Sequence, residues 1–184
     1  MIIFVDIDNT IADIREREAI AGRLPKKVTP KCYRKWLSVL QPKGGFEKDK
    51  VVSPMLELLN SIRSIESMVW IFFLTSREEK HRKDTVDWLN ANKFDIPNAQ
   101  LFMRKNRSLL PAWKEKHKVI KKLLKKNPLP KDENVIFIDD DPEIANLCDI
   151  YGWLHLIPRL PSVTPKKTRK VVRRDKKSKT NKSV

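Results

Sequence analysis

Residues 2–10 read IIFVDIDNT, and the way this stretch changes character decides the fold. Ile2–Val5 is apolar, β-branched or aromatic, and too short for a helix, so it suits a strand buried on both faces. The run stops at Asp6 and Asp8, two like charges at the strand's exit, with Thr10 two residues further on. Two later stretches repeat the plan. VWIFFL at 69–74 runs into Thr75, Ser76 and Arg77, and NVIFI at 134–138 runs into Asp139, Asp140 and Asp141.

Helical patterns separate these strands. SPMLELLNSIRSI at 53–65 offers Ser53 as an N-cap and Pro54 at the first helical position. Residues 78–92 place Val86 and Leu89 on one face. Residues 110–127 place Trp113, Lys116, Val119, Ile120 and Leu123 near one stripe. Residues 141–152 form a further helix, with Asp141 before Pro142 as its cap rather than a metal ligand, and WLHLI at 153–157 reads as an edge strand. Strands alternating with helices predict an α/β fold: a mainly parallel central sheet flanked by helices, with right-handed crossovers. Ligands of such sheets bind at the carboxyl ends of the strands. If the three strands are neighbours, the three polar clusters meet there.

Residues 12–50 break the alternation. They read as a small insertion over the site, with one short helix and a Pro/Gly turn. The predicted organisation is one domain over 1–157 and a basic tail over 158–184. From Lys166 to Val184 there are ten Lys or Arg and one Asp, with almost nothing apolar beyond three valines, which predicts a disordered segment.

The whole chain of 184 residues carries 39 Lys plus Arg against 23 Asp plus Glu, a net +16. An excess of one sign on this scale points to a polyanionic partner, nucleic acid or an anionic membrane. No apolar run approaches the roughly 20 residues of a membrane span. The amino-terminal run is not expected to act as a signal peptide, because it lacks a basic start and is cut by Asp6 and Asp8. Cys32 and Cys148 lack metal spacing and read as free thiols in a reducing cytosol; a nuclear location in a eukaryote stays open. With four glycines and no GxxxxGK loop, ATP chemistry through a P-loop is not expected.

Asp6, Asp8, Asp139, Asp140 and Asp141 on one rim would repel one another and raise each other's pKa. A hard divalent cation removes that cost, and Mg²⁺ takes one or two carboxylates plus water and phosphate oxygens. Thr10, Thr75 and Ser76 supply hydroxyls for a phosphate oxygen, and a nearby lysine would neutralise phosphate charge. One aspartate of the Asp6/Asp8 pair can attack phosphorus, and the other can give and take the proton. Arg104 and Arg107 follow the apolar AQLFM, where they either meet substrate phosphates or sit on a surface loop. The seven lysines of 114–126, with one Glu, form an electropositive face.

DIDNT resembles the first motif, DxDx(T/V), of the haloacid dehalogenase (HAD) superfamily of phosphohydrolases. IFFLTSR resembles its second motif and VIFIDDD its fourth, in the same order, over about residues 1–157. Within the superfamily, KDKVVSPMLELL, TSRE and LFMRKN resemble the 3′-phosphatase domain of bacteriophage-type polynucleotide kinase-phosphatase. The resemblance implies a Rossmann-like HAD fold with a small cap and a Mg²⁺-dependent reaction. It implies Asp6 as nucleophile, forming an aspartyl-phosphate, and Asp8 as general acid/base that also gives the metal its backbone carbonyl. Thr75 would bind the transferring phosphoryl group, and Arg77 would be a substrate or structural contact. Asp139 and Asp140 would hold Mg²⁺ together with Asp6. The motif lysine is one of Lys114, Lys116 and Lys118. Lys116 is favoured because Val119 and Ile120 follow it as they do in relatives, although the usual upstream Asp is missing. Asn9 stands where a glycine is common.

Three readings follow. The first is removal of terminal phosphates, 3′-phosphates foremost, from DNA or RNA in end processing, with the 166–184 tail adding affinity. The second is a 5′(3′)-(deoxy)nucleotidase acting on mononucleotides. The third is a nucleic-acid-binding protein that keeps the fold without catalysis.

Overall fold

The computed structural model describes residues 1–24, 27–65, 69–94, 100–126, 134–158 and 160. The tail expected over 158–184 lies outside the described residues apart from Pro158 and Leu160.

The main sheet has strand order β5-β4-β1-β6-β7. These strands are β1 (Ile2–Val5), β4 (Trp70–Glu78), β5 (Leu101–Arg104), β6 (Val135–Ile138) and β7 (Leu154–Leu156), and every pairing is parallel. The DIDNT strand is central. Val5 registers with Phe73 on one side and Ile138 on the other, so Asp6, Asp139 and the polar end of β4 come to the same edge of the sheet. The Asp6 amide donates to the Ile138 carbonyl at 2.9 Å, which fixes the start of the exit loop.

Both faces are covered, which is why the strands lack polar alternation. On one face Ile3, Val5, Ile71 and Phe73 pack with Leu59 of α3 (Ser53–Ile65) and Trp88 and Leu89 of α4 (Arg82–Ala91). On the other, Phe4, Leu74 and Phe137 pack with Ile120 of α5 (Ala112–Lys126) and Ile144 and Leu147 of α6 (Pro142–Tyr151). Phe4 and Phe137 stack at 4.7 Å between ring centroids, and Tyr151 and Trp153 at 4.4 Å. Each large side chain buried in this way is worth about 1.5–3 kcal/mol over exposure.

Some boundaries differ from the sequence expectation for local reasons. β4 continues to Glu78, past its apolar run, because it stays paired with β5 through an irregularity between Thr75 and Glu78. The helix expected from 78 begins only at Arg82, after a 3-10 turn at Glu79–His81. Ser53 lies inside α3 rather than before it. Asp141 caps α6, its side chain accepting from the Glu143 amide at 3.0 Å.

The 12–50 insertion holds two helices where one was expected. These are α1 (Arg15–Ala21) and α2 (Pro30–Leu40), framed by the antiparallel ribbon of β2 (Ala12–Asp13) and β3 (Lys50–Val51). α2 is legible: Thr29 accepts from the Cys32 amide at 3.2 Å and Pro30 occupies the first turn. α1 carries no apolar stripe, since Ile20 is exposed and its one buried side chain is Arg17, so hydrophobic periodicity could not reveal it. Among the described residues no helix is long and apolar enough to cross a membrane.

Candidate active site

At the carboxyl edge of the sheet lies an open cavity of about 270 Å³ whose walls include Asp6, Asp8, Ser76, Lys116 and Asp140. Asp6 and Asp139 come from the exits of neighbouring strands, and Lys116 reaches them from the first turns of α5. Lys116 Nζ donates to Asp139 Oδ2 at 2.7 Å and lies 2.8 Å from Asp6 Oδ1. The approach to Asp6 is off the line of a good hydrogen bond, so that contact is an ion pair, and Asp6 Oδ1 has no other donor among the described residues. Lys114 and Lys118 are exposed, the former over the Trp113 ring at 5.2 Å. Of the three candidate lysines, α5 turns Lys116 alone inward.

Burial sets the electrostatics. It pushes the Asp6 carboxyl well up, with Asp139, Asp140 and Asp8 adding to the rise and Lys116 opposing it. Burial, then Asp139, push Asp140 up to about 6, an effect partly screened because this residue sits exposed at the rim. The two acids hold Lys116 firmly as an ammonium, raising its pKa against the pull of desolvation.

Asp6, Asp139 and Asp140 can each offer an oxygen within 4.8 Å of the others. With Lys116 the ionised trio carries −2, so a divalent cation would neutralise it, and hard oxygens suit Mg²⁺. The Asp8 carboxylate is not part of the trio. It lies in a buried lattice of two arginines and two aspartates. Arg77 donates to Asp8 Oδ1 through Nε at 3.0 Å and Nη2 at 2.7 Å, and Arg17 Nη2 adds a third bond at 2.9 Å. Asp49 just before β3 closes the lattice, accepting from Arg17 at 2.6 and 2.8 Å and from Arg77 at 2.9 Å. The ring of Phe46 lies 4.0 Å from the Arg77 guanidinium carbon and 4.9 Å from that of Arg17. Against the cost of burial, Arg77 and Arg17 hold the Asp8 carboxyl below its ordinary range.

Arg17, Asp49 and Gln41 were not singled out in the sequence. Gln41 ties the cap to β4, donating to the Ser76 carbonyl at 3.2 Å and accepting from the Glu78 amide at 3.0 Å. Their side-chain partners lie between 9 and 37 residues away, so no local spacing betrays them. Asn9 has a φ of 61°, the left-handed conformation that makes a glycine common at this place.

Other expected contacts lie elsewhere. Arg77 has no exposed surface and is committed to Asp8 and Asp49, so it is a structural contact and not a substrate one. Arg104 is buried with its guanidinium turned to the Tyr33 hydroxyl at 2.7 Å and to the Ser108 and Leu110 carbonyls, which removes it from the site. Arg107 is exposed on a loop whose amide donates to Glu78, away from the cavity walls. The Thr10 hydroxyl is buried with no hydrogen-bond partner among the described residues, outside those walls. Thr75 lies just behind them, its hydroxyl accepting from the Arg77 amide at 3.2 Å.

Because metal ligands must be deprotonated, raised acids make binding pH-dependent. Mg²⁺ at about a hundred times its Kd should raise Tm by roughly 5–10 °C at pH 7.5. The shift should shrink toward pH 5.5 and vanish with a chelator. Thermal unfolding with and without MgCl₂ measures it, and an equal shift at both pH values would contradict the assignment.

A comparison with curated proteins finds no match. One family profile does match, over residues 1–128 of the 184, a span that holds Asp6, Asp8, Thr75, Arg77 and Lys116 and ends before Asp139 and Asp140. Its description does not reach the narrower likeness to a polynucleotide kinase-phosphatase. By this match the chain is a phosphatase and belongs to the HAD superfamily, subfamily IIIB (acid phosphatase).

Proposed function

We propose that the chain hydrolyses terminal phosphates of nucleic acid, 3′-phosphates foremost, by covalent catalysis through Asp6. The observation that carries the reading is the charge: a net +16 on a phosphatase whose cavity is open and whose cap is two short helices. A polymer end can enter such a site, and a basic surface holds the rest of the strand.

In this reading Asp6 attacks phosphorus while the P–O bond to the leaving sugar oxygen breaks. Lys116 balances charge as it passes between the carboxylate and the phosphoryl oxygens. Arginine contacts occupy Asp8 Oδ1, so Oδ2 carries the proton to the leaving oxygen. Asp8 then takes a proton from the water that releases phosphate from Asp6. Phosphatases of this superfamily generally use Mg²⁺. Asp6, Asp139 and Asp140 would hold it here, where it would neutralise developing charge.

The description of the matching family, acid phosphatase, favours a second reading in which mononucleotides or other small esters are the substrates. The third reading falls with the chain's membership of a phosphatase family. A panel of end-labelled DNA and RNA with 3′-, 5′- and 2′,3′-cyclic phosphates, run beside mononucleotides, decides between the other two. The 3′-phosphorylated strands should be dephosphorylated with the highest kcat/KM. Mononucleotides winning by orders of magnitude would reject the proposal. The Lys/Arg-rich 166–184 segment would add sequence-independent affinity, so deleting 160–184 should weaken strand binding and flatten its salt dependence.

A further inference from the structure

Beside the catalytic cavity, α1 and α2 enclose a groove of about 460 Å³ that the reaction does not use. Trp36 and Val39 line it, and three cations, Arg23, Lys31 and Lys35, stand on it with no carboxylate among its walls. The cations are exposed, while Trp36 is half-buried, its indole N–H donating to the Gly22 carbonyl at 2.8 Å. That bond holds the ring in place.

The same two helices, α1 and α2, contribute residues to the groove and to the catalytic cavity. Glu18 of α1 lines the cavity, and Ala21, one turn on, lines the groove. Leu40 of α2 lines the cavity, and Trp36, one turn back, lines the groove. These steps of three and four residues are about 4.5 to 6 Å along the helix axes, a distance that one nucleotide of an extended strand can span. Single-stranded nucleic acid is bound elsewhere by this combination of an aromatic face for a base and cations for the backbone.

We propose that this groove seats the nucleotides next to the scissile phosphate of a single strand, with Trp36 stacking on a base and Arg23, Lys31 and Lys35 contacting backbone phosphates. The proposal rests on the polynucleotide reading and adds to it a path for the strand. Like charge excludes the chain's own basic carboxyl-terminal segment from the groove, and a mononucleotide whose phosphate is held at the cavity brings no further backbone phosphate to Arg23, Lys31 and Lys35. The consequence is length dependence. kcat/KM should climb as a 3′-phosphorylated substrate lengthens from one to about three nucleotides, then level off.

The experiment compares wild type, Lys31→Ala/Lys35→Ala and Trp36→Ala on 3′-phosphorylated substrates of one, two, three, six and ten nucleotides, with p-nitrophenyl phosphate as reference. The ratio of decamer to p-nitrophenyl phosphate kcat/KM should fall about tenfold in each variant, and the gain on lengthening should disappear. The double lysine variant should also flatten the log–log salt slope by about 1.4 for two lost phosphate contacts. Because Trp36 touches the core, the exposed lysine pair carries the conclusion should Trp36→Ala unfold. If wild type gains with length and the lysine variant gains equally, the groove assignment is overturned and the substrate class stands. If wild type itself shows no gain beyond the mononucleotide, the polynucleotide reading fails and the groove goes with it.

Discussion

Asp6→Asn should abolish phosphate-ester hydrolysis, by on the order of 10⁴-fold or more, since removing a covalent nucleophile leaves only binding and charge stabilisation. Every substrate should be affected alike, p-nitrophenyl phosphate and oligonucleotides included, because the lost atom is the one that attacks. The fold should survive. Asp6 is raised by burial and by its acidic neighbours, so its proton is held more tightly in the folded chain than in the unfolded one. Such a group stabilises below the unfolded pKa of about 3.9, and that contribution disappears as pH rises through the folded value. At neutral pH its charge is a net cost in metal-free protein. Asparagine keeps the shape and removes the charge, so Tm in chelator should be unchanged or higher, although Lys116 keeps only Asp139. The stabilisation by Mg²⁺ should shrink in the same variant. Measurable steady turnover near wild type would refute the covalent role, and loss of activity with loss of fold would remove its support.

What could be read from the sequence follows from where the physical signal lies. β1, β4 and β6 are covered on both faces, so each opens with an unbroken apolar run, and the polar residues that follow it stand out. The parallel register then brings Asp6 and Asp139 together with no further information. Lys116 shares a helical face with Ile120, four residues on, and that face turns inward. The cap is different. α1 buries an arginine, and its stability comes from pairings with Asp8 and Asp49 rather than from an apolar stripe. Arg17 and Asp49 are 32 residues apart, and Arg77 and Asp8 are 69 apart. Charged residues at such separations look like ordinary surface in a single sequence, which is why a substrate contact stayed open for Arg77 and Arg104 when both are buried in the scaffold. The site's acids are thus local in sequence, while the groups that orient Asp8 exist only once the cap has closed on the sheet.

Arg77→Met should be the most destabilising single change in the site. The side chain has no exposed surface and serves two carboxylates, so its loss leaves Asp8 and Asp49 to share Arg17 alone. Breaking a buried ion pair from one side costs about 3–5 kcal/mol, which for a chain of this size lowers Tm by roughly 6–20 °C. Asp49→Asn added to Arg77→Met should recover part of the loss, because it removes one of the stranded charges, and chemical denaturation of the four proteins measures the coupling. Arg77→Lys separates packing from positioning. An ammonium keeps the charge but cannot reproduce the two bonds to Asp8 Oδ1, so the Asp8 carboxyl should rise toward its ordinary value. In wild type its lowered value stabilises the fold above about pH 3.9, and that stability is lost as pH falls through the folded value. The same lowering limits catalysis from the other side, because the proton-donating form of Asp8 thins out as pH rises. With Arg77→Lys the alkaline limb of kcat/KM for a nucleoside 3′-phosphate should therefore move to higher pH. p-Nitrophenyl phosphate, whose leaving group needs little protonation, should show almost no movement. A lower Tm with both pH profiles fixed would make Arg77 a packing residue only, and would take the proton-donor role from Asp8.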